Sequence, residues 1–105
     1  MASIYYKKGG IFMKNFSPAA MQIIMASAKV LALYPHAKVI SFLPYEAKHN
    51  VLITAYLRID DPLSTLKKRL EFKDLSEYKD ALDFLKSTCH QNYDDTKHMW
   101  FVDIP

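Results

Sequence analysis

An α+β domain is what the sequence predicts: a mostly antiparallel sheet with two helices packed on one face. Three observations carry this expectation. A long apolar stretch opens at Ser17-Pro18 and closes at Pro35. Residues Asn50 to Ile59 alternate between two sets of side chains. A second helical stretch begins near Asp74, with its apolar and charged positions well separated. Strands grouped between helices favour antiparallel pairing with the helices gathered on one side. The expected order is β-hairpin, helix, two strands, an ambiguous segment read as a third strand, helix and strand.

The protein's two glycines are adjacent, Gly9 and Gly10, between Ile4-Tyr5-Tyr6 and Ile11-Phe12-Met13. Adjacent glycines between β-formers signal a hairpin, because tight primed turns need positive φ. The helix start follows. Ser17 is suited to accept from the first orphan amides, and Pro18 fits the first helical position, where its missing N–H costs nothing. Phe16 and Met21 have the spacing of a hydrophobic staple. Met21, Ile24, Met25, Ala28, Leu31 and Ala32 recur at helical spacing and are expected on the core side. Ile23, Val30 and Leu33 widen the stripe until almost only Gln22, Lys29 and the alanines are left to face outward. Pro35 disfavours helical geometry at Tyr34 and ends the helix.

Ala37 to Leu43 reads as a strand, and Pro44 to His49 as a hairpin loop. Within Asn50–Ile59, period two puts Val51, Ile53, Ala55, Leu57 and Ile59 on the core face. Leu52, Thr54, Tyr56 and Arg58 take the other. Asp60-Asp61-Pro62 breaks the chain. In the stretch that follows, Leu66, Leu70 and Phe72 can share a strand face, while Leu63, Leu66 and Leu70 would also make a helical stripe. The strand is the reading adopted. It turns Lys68 inward, a device that protects a sheet edge from mispairing. Asp74 and Glu77 have capping-box spacing, with Ser76 a rival cap. Tyr78, Ala81, Leu82, Leu85 and Cys89 form the apolar stripe of this helix, opposite Lys79, Asp80, Asp83 and Lys86. Asn92 to Lys97 reads as a turn and Met99 to Ile104 as a closing strand.

A chain of 105 residues fits one domain. Its 50% hydrophobic and 24% charged content is ordinary globular usage, so disorder is not expected. Met13 offers a second start codon; if translation begins there, residues 1–12 are an extension. Lys7, Lys8 and Lys14 ahead of the apolar run 18–34 resemble a signal sequence in outline. Gln22, Ser27 and Lys29 interrupt that run, and a buried core helix is the reading preferred. No membrane span is expected. The single cysteine, Cys89, excludes an intramolecular disulfide and points to a reducing, cytoplasmic setting. A net charge of +3 is compatible with nucleic acid without implying it.

The densest polar cluster is 89–98, with Cys89, His90, Asp94, Asp95 and His98. Zinc accepts all of these ligand types, but no paired C-x-x-C or H-E-x-x-H is present. A helix C-terminus followed by an aspartate-built turn accounts for the same residues. Cys89 continues an apolar stripe, so it reads as a small hydrophobe rather than a nucleophile. No phosphate-binding glycine loop is present. No catalytic residue, metal or cofactor is therefore expected.

Two surfaces remain. The sheet face away from the helices would carry Leu52, Tyr56 and Arg58, with Ile40 and Phe42 as further members, and Tyr and Arg are enriched at interface hot spots. Around the first turn and in the ambiguous strand, Tyr5, Tyr6, Lys7, Lys8, Lys67 and Arg69 combine aromatic and basic character suited to single-stranded nucleic acid. Expected, then, is a small non-enzymatic protein-binding regulator or inhibitor of the kind met in phage, mobile-element, immunity or antitoxin systems, with a nucleic-acid-binding module as the alternative. A homodimer through an open strand edge is a third arrangement the pattern allows.

Overall fold

A computed structural model describes residues 16–59, 65–89 and 92–105. The expected N-terminal hairpin, with Tyr5, Tyr6, Lys7 and Lys8, lies outside the described residues. Helix α1 (Pro18–Leu33) leads to strands β1 (Val39–Tyr45), β2 (Asn50–Tyr56) and β3 (Thr65–Glu71). Helix α2 (Leu75–Cys89) and the hairpin strands β4 (Tyr93–Asp94) and β5 (Met99–Asp103) complete the order. The strands form one antiparallel sheet in the order β3-β2-β1-β5-β4. This is the α+β architecture expected from the pattern, and the ambiguous segment is a strand.

The register assigns the two faces. Phe42 lies opposite Ile53 and Trp100, and Ile40 opposite Ala55 and Val102. All of these except the half-buried Val102, which packs against the cluster, join Ala19, Ile23, Ala26 and Val30 of α1 and Tyr78, Ala81, Leu85 and Cys89 of α2 in one buried cluster. Both helices therefore lie on the same side of the sheet. Burying each Val- or Ile-sized side chain contributes about 1.5–3 kcal/mol, so the shared face supplies most of the cohesion.

Local chemistry sets the helix starts. Ser17 Oγ accepts from the Ala20 amide at 3.1 Å, with Pro18 at the first helical position. Phe16 stands edge-on to Phe84 of α2, ring centroids 5.8 Å apart. At α2, Asp74 Oδ1 accepts from the Glu77 amide at 2.9 Å. Glu77 Oε1 accepts from the Lys73 amide and from Gln22 Nε2, each at 3.4 Å, so the capping residue also ties the two helices together.

Several expectations need correction. The buried stripe of α1 is Ala19, Ala20, Ile23, Ala26 and Val30. Of the expected stripe and its wideners, Ile23 and Val30 are buried, but Met25 is 56% and Leu33 75% exposed, Ala28 and Ala32 are exposed, and Met21, Ile24 and Leu31 are half-buried. Ala19, Ala20 and Ala26, expected to face outward, are buried. Apolar residues occupy more than one side of this helix, so periodicity alone does not phase it. The small side chains let its axis approach the sheet. The long strand Asn50–Ile59 ends at Tyr56, with Leu57 and Arg58 in a bend. The first strand runs two residues later than expected and takes in Pro44 and Tyr45. Pro44 lies beyond the segment 39–42 that is flanked on both sides, which is where a proline is tolerated in a strand. The loop is thus a short 3-10 turn (Glu46–Lys48) closed by His49 at φ 50°. Residues Tyr93 and Asp94, expected within a turn, form a short strand on β5.

The phase of α1 is directly testable by urea denaturation. Ile23→Ala is expected to cost about 2–5 kcal/mol. Met25→Gln is expected to stay within about 0.5 kcal/mol of the parent. Equal losses in the two variants would contradict this packing.

Candidate binding surface

The sheet face away from the helices carries alternate residues of each strand. These are Val39, Ser41, Leu43 and Tyr45 on β1, and Asn50, Leu52, Thr54 and Tyr56 on β2. Lys67, Arg69 and Glu71 follow on β3, and Met99, Phe101 and Asp103 on β5. Ile40 and Phe42 do not belong to it. They are 3% and 5% exposed on the core side, because the register pairs them with Ala55 and Ile53.

This outer face has two unlike halves. At one, Val39, Ser41, Tyr56 and Met99 are buried although no described helix covers them. Lys97 Nζ lies 3.5 Å from the carbonyl oxygen of Ile59. The chain leaving β2 therefore turns back toward the β4–β5 turn rather than running on past the end of the sheet. Tyr56 has the outward orientation that alternation assigns, but it is 4% exposed and cannot present a contact surface. Its hydroxyl is buried without a partner at hydrogen-bonding geometry, although Ser41 lies beside it. Burial pushes this phenol above the ordinary tyrosine range, Ser41 draws it back, and the nearby Asp94 carboxylate adds to the rise. Arg58 is exposed in the bend after β2 rather than on the strand face.

The other half is open. Tyr45 is exposed, and Leu43 and Leu52, directly opposite each other, are half-buried. Arg69 connects the strands. Its Nη1 donates to Oδ1 of the buried Asn50 at 3.2 Å, and its guanidinium carbon sits 5.2 Å from the centroid of the Tyr45 ring. A stacked, hydrogen-bonded guanidinium is held in a fixed position. Tyr45, Lys48, Asn50, Arg69 and Glu71 border a shallow cavity of about 430 Å³. Leu52 and Arg69 were legible from alternation. Tyr45 was not, because the first strand is expected to stop at Leu43, and the bond between Asn50 and Arg69 needs the pairing of β2 with β3. Lys67 joins Arg69 on this face, whereas Lys68, opposite Ile53, lies on the helix side.

The cysteine–histidine segment resolves into local structure where it is described. Cys89 is buried on α2, and burial pushes its thiol upward, away from the reactive thiolate. Asp94 Oδ1 accepts from the amides of Thr96 and Lys97 at 2.9 and 3.1 Å, the aspartate-built turn expected there. No group of three or more metal-ligating side chains is gathered among the described residues. No described helix is long and apolar enough to cross a membrane. Comparison with protein-family models, with curated proteins and with solved structures finds no match to this chain.

Tyr56, Tyr78 and Cys89 are all shifted upward, with burial the largest cause in each and Glu46 adding to the rise at Tyr78. The native state therefore holds these protons more tightly than the unfolded chain. The associated stability is complete below the ordinary values of 9.0 for the thiol and 10.0 for the phenols, and is lost as pH rises through the folded values. Urea midpoints should fall above pH 10, with a shallower fall in Tyr56→Phe. At neutral pH that variant should gain about 1 kcal/mol by removing an unpaired buried hydroxyl. A loss of stability at neutral pH would show that the hydroxyl is satisfied.

Proposed function

We infer that the protein is a non-enzymatic regulator or inhibitor that acts by stoichiometric binding to another protein, through the open half of the outer sheet face. One observation supports this most strongly: Arg69 is held by Asn50 and stacked on the exposed ring of Tyr45, beside Leu43 and Leu52. Tyrosine and arginine anchors set among apolar neighbours are the usual composition of an interface hot spot. Holding the guanidinium in advance lowers the ordering cost of binding. A buried thiol shifted upward argues against nucleophilic chemistry at Cys89. The surface has moved from the expected set of Leu52, Tyr56 and Arg58: Leu52 stays, and Tyr45 and Arg69 replace the other two as anchors.

The same tyrosine–arginine pair, with Lys48 and Lys67 nearby, has features that would stack a nucleobase and hold phosphates. Glu71 and the leucine pair on this face favour a protein partner instead. Affinity capture from the native host separates the readings. The parent chain should retain one protein in equimolar amount, and Tyr45→Ala and Leu52→Asp should each release it while keeping the parental circular dichroism spectrum. Retention of no protein would favour nucleic acid, provided that a single-stranded oligonucleotide binds in a salt-sensitive manner and is weakened by Lys67→Gln with Arg69→Gln.

A further inference from the structure

Strand β3 pairs with β2 alone and forms one border of the sheet among the described residues. It is seven residues long, whereas the opposite border, β4, has two. Very short strands are a common way of protecting a border; a long one leaves a row of backbone donors and acceptors that another strand can use. The middle of β3 reads Lys67-Lys68-Arg69. Alternation sends Lys67 and Arg69 to the outer face and Lys68 to the helix face, so the border is cationic on both sides.

Each side also has a trough beside the border. On the helix side, a cleft of about 260 Å³ lies between α1 and β3, lined by Lys29, Val30, Leu33, Leu66, Lys67 and Lys68. Leu33, 75% exposed, gives it an apolar wall. On the outer side lies the cavity bordered by Tyr45, Lys48 and Arg69. A strand laid along β3 would place alternate side chains over these two troughs.

Resting on the protein-binding reading above, we propose that β3 receives an acidic, extended segment of the partner protein as a sixth strand of the sheet. Main-chain hydrogen bonds supply the general affinity, and the troughs select the side chains. Carboxylates point to the outer face, toward Lys67 and Arg69. Apolar side chains point to the helix side, against Leu66 and Leu33 and along the stem of Lys68. The recognised pattern is thus an alternation of Asp or Glu with Val, Leu or Ile.

A second copy of this chain does not fit. Antiparallel self-pairing about the centre of β3 sets Lys68 against Lys68 and Lys67 against Arg69, and like charges directly opposite one another are destabilising. The inward lysine that discourages self-association offers its aliphatic stem to the apolar side chains of an incoming strand. Nucleic acid would use the cations but neither the backbone of this border nor the apolar wall.

The test uses a fluorescein-labelled, capped peptide, Glu-Val-Glu-Leu-Glu-Val-Glu, with the full-length chain. Fluorescence anisotropy gives affinity, and amide hydrogen exchange gives location. Binding with added protection confined to residues 65–71 is expected. N-methylation of alternate peptide bonds on the pairing edge should abolish it. Lys67→Gln with Lys68→Gln, both at exposed positions, should weaken it on the order of tenfold. A peptide with Lys in place of Glu should not bind.

Undiminished binding of the N-methylated peptide would overturn strand addition, leaving charge attraction alone. Protection elsewhere, binding of a single-stranded oligonucleotide with the acidic peptide inert, or no binding would each overturn the proposal. If the peptide fails while a captured host protein still depends on Tyr45 and Leu52, the border assignment falls and the protein-binding reading stands. If both fail, the reading falls with it.

Discussion

Three side chains on one face of β2, Val51, Ile53 and Ala55, have no solvent exposure at all, and the rest of the structure is arranged around them. β2 has β1 on one side and β3 on the other, and both helices are gathered over the sheet face to which these three residues point. Because a strand alternates, committing one set of β2 side chains to the core commits the other set to the opposite face. That second set, Asn50, Leu52, Thr54 and Tyr56, lines the outer face, and its Asn50–Leu52 end belongs to the candidate surface. The same backbone constraint therefore creates the core and positions the site.

What varies along the outer face is its cover. Near Tyr56 the returning chain brings the Ile59 carbonyl to Lys97, and Val39, Ser41 and Met99 are buried there. Near Tyr45 no such return is present among the described residues, and the surface is open. Asn50 makes the open half specific. Although buried, it offers its side-chain oxygen to Arg69, fixing a cation where the sheet meets its β3 border. A polar residue buried on the outer face thus serves an exposed arginine, and this joins the face and the border into one continuous surface.

The sequence was most legible where local chemistry decides structure. Ser17-Pro18 and the Asp74–Glu77 box define their helix starts through hydrogen bonds within four residues, and α2 buries the stripe its charge pattern implies. The alternation of β2 assigned its faces correctly as far as Tyr56. It was least legible where long-range packing decides. α1 is apolar on several sides, and only the approach of Ala19 and Ala26 to the sheet selects its buried side. The burial of Tyr56, on a face that no described helix covers, is not encoded by alternation. Within the candidate site, Leu52, Lys67 and Arg69 could be read from alternation and charge. Tyr45, and the contact of Asn50 with Arg69, required the register between β1, β2 and β3.

The central claim is that binding is centred on the open half of the outer face and continues to the β3 border. Amide hydrogen exchange of the chain, alone and bound to its captured host partner, tests this most directly. The account predicts added protection in residues 43–45, 50–52 and 65–71, with the amides of α1 unchanged. Protection concentrated instead on the exposed side of α1 around Met25 and Leu33 would contradict it.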